Sequence, residues 1–165
     1  MKCISEETVE QTWQTIADMD PADAAQAMFE FSEAQPYLLG FVMAFTEDLE
    51  NDAGELCTYM LYVVYQMFVN STNANIPTVT EQQIEAQYEA TCKLLDVIHE
   101  ADGDPEIAGV ESQIENQPYV YQYVSEALLE DNDDPEDELN ISEEDVGEIF
   151  MMMKCVIDVV DSVTN

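Results

Sequence analysis

The side chains able to do chemistry in this chain are few in kind and heavily skewed in charge. One histidine, His99, four cysteines at positions 3, 57, 92 and 155, and 37 carboxylates make up nearly the whole reactive inventory. A Cys–His nucleophilic pair needs its two side chains within hydrogen-bond reach. His99 follows Cys92 by seven residues on one helical segment, about two turns away, so the two do not meet. Asp96 and His99 have the i, i+3 spacing of helical metal sites, but such sites pair two motifs of this kind, and a second histidine is missing. No cysteine stands in a CxxC or CxxH spacing. Counted from Asp131 as an EF-hand loop, the sixth and twelfth places hold Glu136 and Ser142 where glycine and glutamate are needed. The glycines at 103 and 109 flank an acidic stretch without lysine, unlike any loop that cradles phosphate. The residues therefore predict no catalytic centre, no metal site and no cofactor.

What the carboxylates do offer is charge. Against them stand three lysines and no arginine, a net charge of −34. Nucleic-acid binding depends on Lys and Arg neutralising phosphates, and anionic membranes attract the same residues, so direct contact with either partner is excluded as an expectation. The longest strongly apolar run, Leu56 to Val69, is 14 residues, short of the roughly 20 a bilayer span needs, and it reads as a buried helix. The first seven residues carry no apolar signal segment, and the cysteines have no framework spacing. Reduced thiols in a cytoplasm are the expected state.

A 47% hydrophobic content argues that the acids sit on a folded surface and not on a disordered tail. The chain also reads as two copies of one unit. Ser5 to Trp13 lines up with Thr80 to Tyr88 as hydroxyl cap, acid, apolar residue, acid, aromatic. Asp20-Pro21 answers Asp104-Pro105, and Gln35-Pro36-Tyr37 answers Gln117-Pro118-Tyr119. Leu49-Glu50 answers Leu129-Glu130, and Gly54-Glu55-Leu56 with Met60 and Val63 answers Gly147-Glu148-Ile149 with Met153 and Val156.

Each match falls at a helix start, where hydroxyl caps and first-turn prolines belong. The expectation is an all-α fold of about eight helices in two duplicated four-helix units, residues 1–76 and 77–165. A pseudo-twofold axis would relate the units and pack them as one compact domain. Helices are expected at 6–18, 21–34, 37–48 and 54–70, then at 81–101, 105–115, 119–130 and 143–163. The fourth is apolar nearly all round and should be central. The eighth carries Lys154, Asp158 and Asp161 among its apolar positions, which predicts one wet face.

Acids in a first helical turn, such as Glu6, Glu7 and Glu81, gain from the helix dipole and need no functional account. Glu89, Asp158 and Asp161 lack that gain, although Lys93 follows Glu89 by one turn. The densest acids are Glu47, Asp48, Glu50, Asp52 and Glu55 in one half. In the other they are Glu130, Asp131, Asp133, Asp134, Glu136, Asp137 and Glu138. These fifteen residues are the candidate contacts for a partner.

Self-repulsion from such a charge exceeds what solubility requires, about 2 to 8 units for a small domain. Thirty-four charges match roughly 58 Å of duplex DNA. In composition, and in composition only, the chain resembles phage-type DNA-mimic inhibitors of restriction and CRISPR enzymes. The reading is a non-enzymatic protein that binds a basic protein, acting as a nucleic-acid-mimicking decoy. The alternative is an acidic adaptor, immunity or chaperone-like protein using a hydrophobic groove with an acidic rim. A protein of a salt-rich cytoplasm is a third possibility, opposed by the richness in Met, Tyr and Val.

Overall fold

The computed structural model describes residues 3–49, 53–104, 116–130 and 141–164. Among the described residues there are seven helices and no strand. They are α1 (Glu6–Ala17), α2 (Pro21–Ala34), α3 (Pro36–Thr46), α4 (Ala53–Thr72), α5 (Glu81–Glu100), α6 (Pro118–Glu130) and α7 (Glu143–Thr164). The all-α expectation holds. The helix expected at 105–115 lies outside the described residues, as does the whole acidic run from 131 to 138.

Local chemistry accounts for the boundaries. Ser5 caps α1 by accepting the Thr8 amide at 3.2 Å, and Asp20 caps α2 by accepting the Ala22 amide at 2.9 Å. Thr80 and Gln83 form a reciprocal capping box at the start of α5. Pro21, Pro36 and Pro118 open α2, α3 and α6, where a missing amide hydrogen costs nothing. At the far end of α5, Asp102 and Gly103 adopt left-handed φ values of 55° and 80°. The Gly103 amide then turns back to the Ile98 carbonyl at 2.9 Å and closes the helix.

The core forms around α4 and α7, which pack on each other. Helices α1 and α3 pack on α4, while α5 and α6 pack on α7; α1 also meets α6, and α3 meets α5. Met60, Leu61, Val63, Val64, Met67 and Phe68 of α4 are completely buried, as its all-round apolar sequence predicts. Side chains of this size stabilise by about 1.5 to 3 kcal/mol each on leaving water. Ile149, Met152, Met153, Val156, Ile157 and Val160 of α7 are equally buried.

Two glutamines tie distant parts of this bundle together. Gln35 is fully buried at the start of α3, yet its side chain does not cap that helix. It accepts the Val79 amide at 2.9 Å and donates to the Pro77 carbonyl at 3.0 Å, holding the residue just before the α5 cap. Gln117, 1% exposed before α6, accepts the Ile4 amide at 2.9 Å, just before the α1 cap. Its own amide donates to Asp161 at 3.0 Å.

The expected wet face of α7 is largely absent. Lys154 is only 5% exposed, because its charge is met inside the fold and does not need water. Among the described residues no helix is long and apolar enough to cross a membrane.

Candidate functional site

Lys154 and Asp158 stand one turn apart on α7 and form an ion pair of 2.7 Å, with side chains 6% and 15% exposed. A buried pair of this kind survives only if the remaining lone pairs of the carboxylate are also satisfied. Three elements supply the donors: Tyr121 of α6 through its hydroxyl at 2.9 Å, Asn116 at 3.3 Å, and Gln87 of α5 at 3.3 Å. The Lys154 ammonium also lies 3.4 Å from the Tyr121 hydroxyl and 5.6 Å from the centre of its ring. Burial first, and then the Asp158 charge, pushes the Tyr121 phenol well above its ordinary range. Asp158 and Asp161, which the sequence marks as acids without a helix-dipole account, are thus engaged in polar contacts within the bundle. The carboxylate, ammonium and phenol of this cluster are bonded to one another, while the side-chain oxygen of Asn116 is buried there without a hydrogen-bond partner.

Two thiols are also enclosed by the bundle. Burial pushes Cys57 up to about 12. Cys155 also rises to about 12, from burial and then the nearby Asp158 charge. A thiol held protonated at neutral pH is a poor nucleophile. Cys92 is half-buried and Cys3 exposed. Among the described residues, no group of three or more His, Cys, Asp or Glu side chains is placed to hold a metal ion.

The other acids lie outside. Glu47, Asp48, Glu55 and Glu89 are exposed, with Lys93 at 4.0 Å from Glu89. Exposed pairs like that one contribute little, at most about 1 kcal/mol. Glu130 is the last residue of α6. Glu50, Asp52, Asp131, Asp133, Asp134, Glu136, Asp137 and Glu138 lie outside the described residues.

Glu47 and Glu55 are brought together at an apolar groove of about 810 Å³ between α2, α3 and α4. Phe29 and Met43, each 58% exposed, and Tyr59, 41% exposed, line it from three different helices, with Met28 and Leu39 between them. Singly exposed apolar residues are ordinary; three large ones converging on one trough are not. Burial raises the Tyr59 phenol above its usual range. The sequence offered only a weak sign of this groove, the adjacent Met28-Phe29 on a helix otherwise rich in alanine and acids.

At the mouth of the groove the backbone adds to the charge. Glu47 caps the C-terminus of α3, the end at which the helix dipole is negative, and the last turn of α3 contains no basic residue. Glu55 lies in the first turn of α4, where the dipole favours it. Gly54 lets the two helices close up here: a Cβ at this position would come within 3.2 Å of Thr46 Oγ1, which donates to the Val42 carbonyl at 2.8 Å.

Comparison of the chain with protein-family models, with curated proteins and with solved structures finds no match.

Proposed function

We propose that this protein is a non-enzymatic, cytoplasmic binding protein whose partner is a basic protein, and that its bundle is a duplicated four-helix unit with a pseudo-twofold relation between its halves. The observation that carries the first part is the fate of the two lysines among the described residues. Lys154 is withdrawn into the core against Asp158, and Lys93 sits beside Glu89, while the exposed surface keeps its carboxylates. Each pair is neutral, so the other groups still carry the full net charge of −34, at a cost in self-repulsion that folding alone does not reward. Such a surface steers a cationic partner and speeds its encounter.

Two facts support the duplication. The reciprocal glutamine ties have each half holding the residue before the other half's first helix cap. The packing of α1 and α3 on α4 parallels that of α5 and α6 on α7. Self-complementary exchange of this sort is what a twofold relation produces.

Of the two forms such a binder can take, decoy or adaptor, the groove favours the adaptor, because a phosphate mimic needs charge and no apolar trough. The test is capture from the lysate of the native host on immobilised protein. A folded acidic protein of similar net charge serves as the control. A basic protein retained at about 0.05 M salt by this chain alone, and released near 1 M where screening acts within about 3 Å, is the expected result. Once purified, that partner either loses bound duplex DNA to this protein, which identifies a decoy, or does not, which identifies an adaptor. Retention of the same proteins by the acidic control would overturn the reading.

A further inference from the structure

We infer that the α2–α3–α4 groove receives one amphipathic helix of the partner, with an apolar face set on Phe29, Met43 and Tyr59 and with Lys or Arg residues along its flank. This rests on the basic-partner reading and adds the surface and the chemistry of the segment that fills it. The trough is apolar along its floor and acidic at its mouth, so its occupant must combine both characters. From Leu39 to Thr46 it follows α3 for roughly 10 Å, the length of two helical turns. An amphipathic helix lays side chains at i, i+3 and i+4 into such a trough. The methionines at 28 and 43 are unbranched and polarisable, and adapt to differently shaped anchors.

Charge decides among occupants. A second copy of this chain would set Glu47 and Glu55 against the same acids of its twin, with a net charge of −34 on each molecule. A segment as acidic as residues 131 to 138 of the chain itself has the wrong sign for the same reason. A cationic flank, by contrast, meets Glu47 at the C-terminal end of α3, where the helix dipole is negative and an acid is unfavourable for the fold on its own.

The experiment uses the full chain and a synthetic peptide of about 18 residues, with leucines along one helical face and lysines on its flanks. Its binding is followed by fluorescence anisotropy at low salt. A scrambled peptide of identical composition, lacking an apolar face, separates groove docking from general attraction. The patterned peptide should bind at least about tenfold more tightly than the scrambled one, a discrimination of about 1.4 kcal/mol. Phe29→Ala with Met43→Ala should remove most of that advantage, and because both residues are exposed the circular dichroism and Tm of this variant should match the parent. Glu47→Gln with Glu55→Gln should slow association several-fold and flatten its salt dependence.

Equal binding of the two peptides, or unchanged binding by the Phe29/Met43 variant, would overturn the inference. So would uptake of a neutral apolar dye at the groove without any peptide binding, which would mark a small-molecule cavity. Self-association abolished by Met43→Lys would overturn it in favour of a dimer face. A natural basic partner whose salt-sensitive binding ignores the Phe29/Met43 variant would defeat the groove and leave the proposed function standing. Groove binding of the peptide with no basic partner in the lysate would do the reverse.

Discussion

Helices α4 and α7 lie against each other at the centre of the bundle and are buried to a similar depth, but they reach that state with different chemistry. In the register that sets Gly54 on Gly147, the positions of Leu61 and Tyr65 in α4 correspond to those of Lys154 and Asp158 in α7. One helix fills its centre with apolar groups; the other places an ion pair there and surrounds it with a phenol and two amides. The difference teaches that the acids of this protein are not one population. A few are internal and bonded, and most of the others among the described residues face water with almost nothing basic beside them.

The comparison breaks most readily at Lys154. Lys154→Met leaves the Asp158 charge enclosed without its cation and should cost about 3 to 5 kcal/mol in denaturant unfolding. Adding Asp158→Asn to it should restore more than half of the loss. A single-variant cost below about 1 kcal/mol would mean that water reaches the pair.

The glutamine ties are the next test. Gln117→Ala orphans the Ile4 amide and takes a donor from Asp161; Gln35→Ala orphans the Val79 amide. Each should cost about 1 to 3 kcal/mol, and near-equal losses would strengthen the duplicated reading of the bundle. A loss at only one of the two positions would weaken it.

The thiols Cys57 of α4 and Cys155 of α7 provide a third comparison, in which the two helices should behave alike. Both are held neutral up to about 12, against an ordinary value of 9.0. Between those limits the unfolded chain has released protons that the folded chain retains. Stability is therefore complete below pH 9 and should fall as pH rises toward 12. Neither thiol should react with a disulfide reagent at pH 8 until the protein unfolds, whereas exposed Cys3 should react at once. Replacing either buried cysteine by alanine should flatten part of the alkaline loss.

The smallest effect expected is that of salt. Raising NaCl from about 0.1 M to about 1 M shrinks the screening length from about 10 Å to about 3 Å. The repulsion relieved should lift Tm by about 2 to 4 °C, equivalent to about 1 kcal/mol for a chain of this size. A falling Tm would show that attractive pairs outweigh the repulsion among the exposed acids.

How far the sequence foretold this structure depends on whether the deciding chemistry is local. The limits of α2 follow from Asp20-Pro21 at one end and Gln35-Pro36 at the other, and the start of α5 from Thr80 with Gln83. The depth of α4 follows from its own residues, since a helix apolar on every side has no face left for water. Lys154 and Asp158 read as a wet face because the partners of Asp158 beyond its own helix, Gln87, Asn116 and Tyr121, lie 37 to 71 residues away in the chain. Exposed Phe29 and Met43 pose the opposite problem: an apolar residue at a helical position reads as core unless the arrangement of neighbours is known to leave it uncovered. The acids at the connection of α3 and α4 stood out by density, but their relation to that groove needed three helices in place.

The two glutamine ties also carry a schedule. A chain emerging from the ribosome can join Val79 to Gln35 as soon as residue 79 is out, because the acceptor is already waiting. The Ile4 amide is made first and matched late, since its acceptor on Gln117 lies 113 residues downstream. At about 5 to 20 residues per second, the N-terminal segment spends on the order of ten seconds without that bond. The segment leading into α1 is therefore fastened late, after the helix itself already has α4 to pack on.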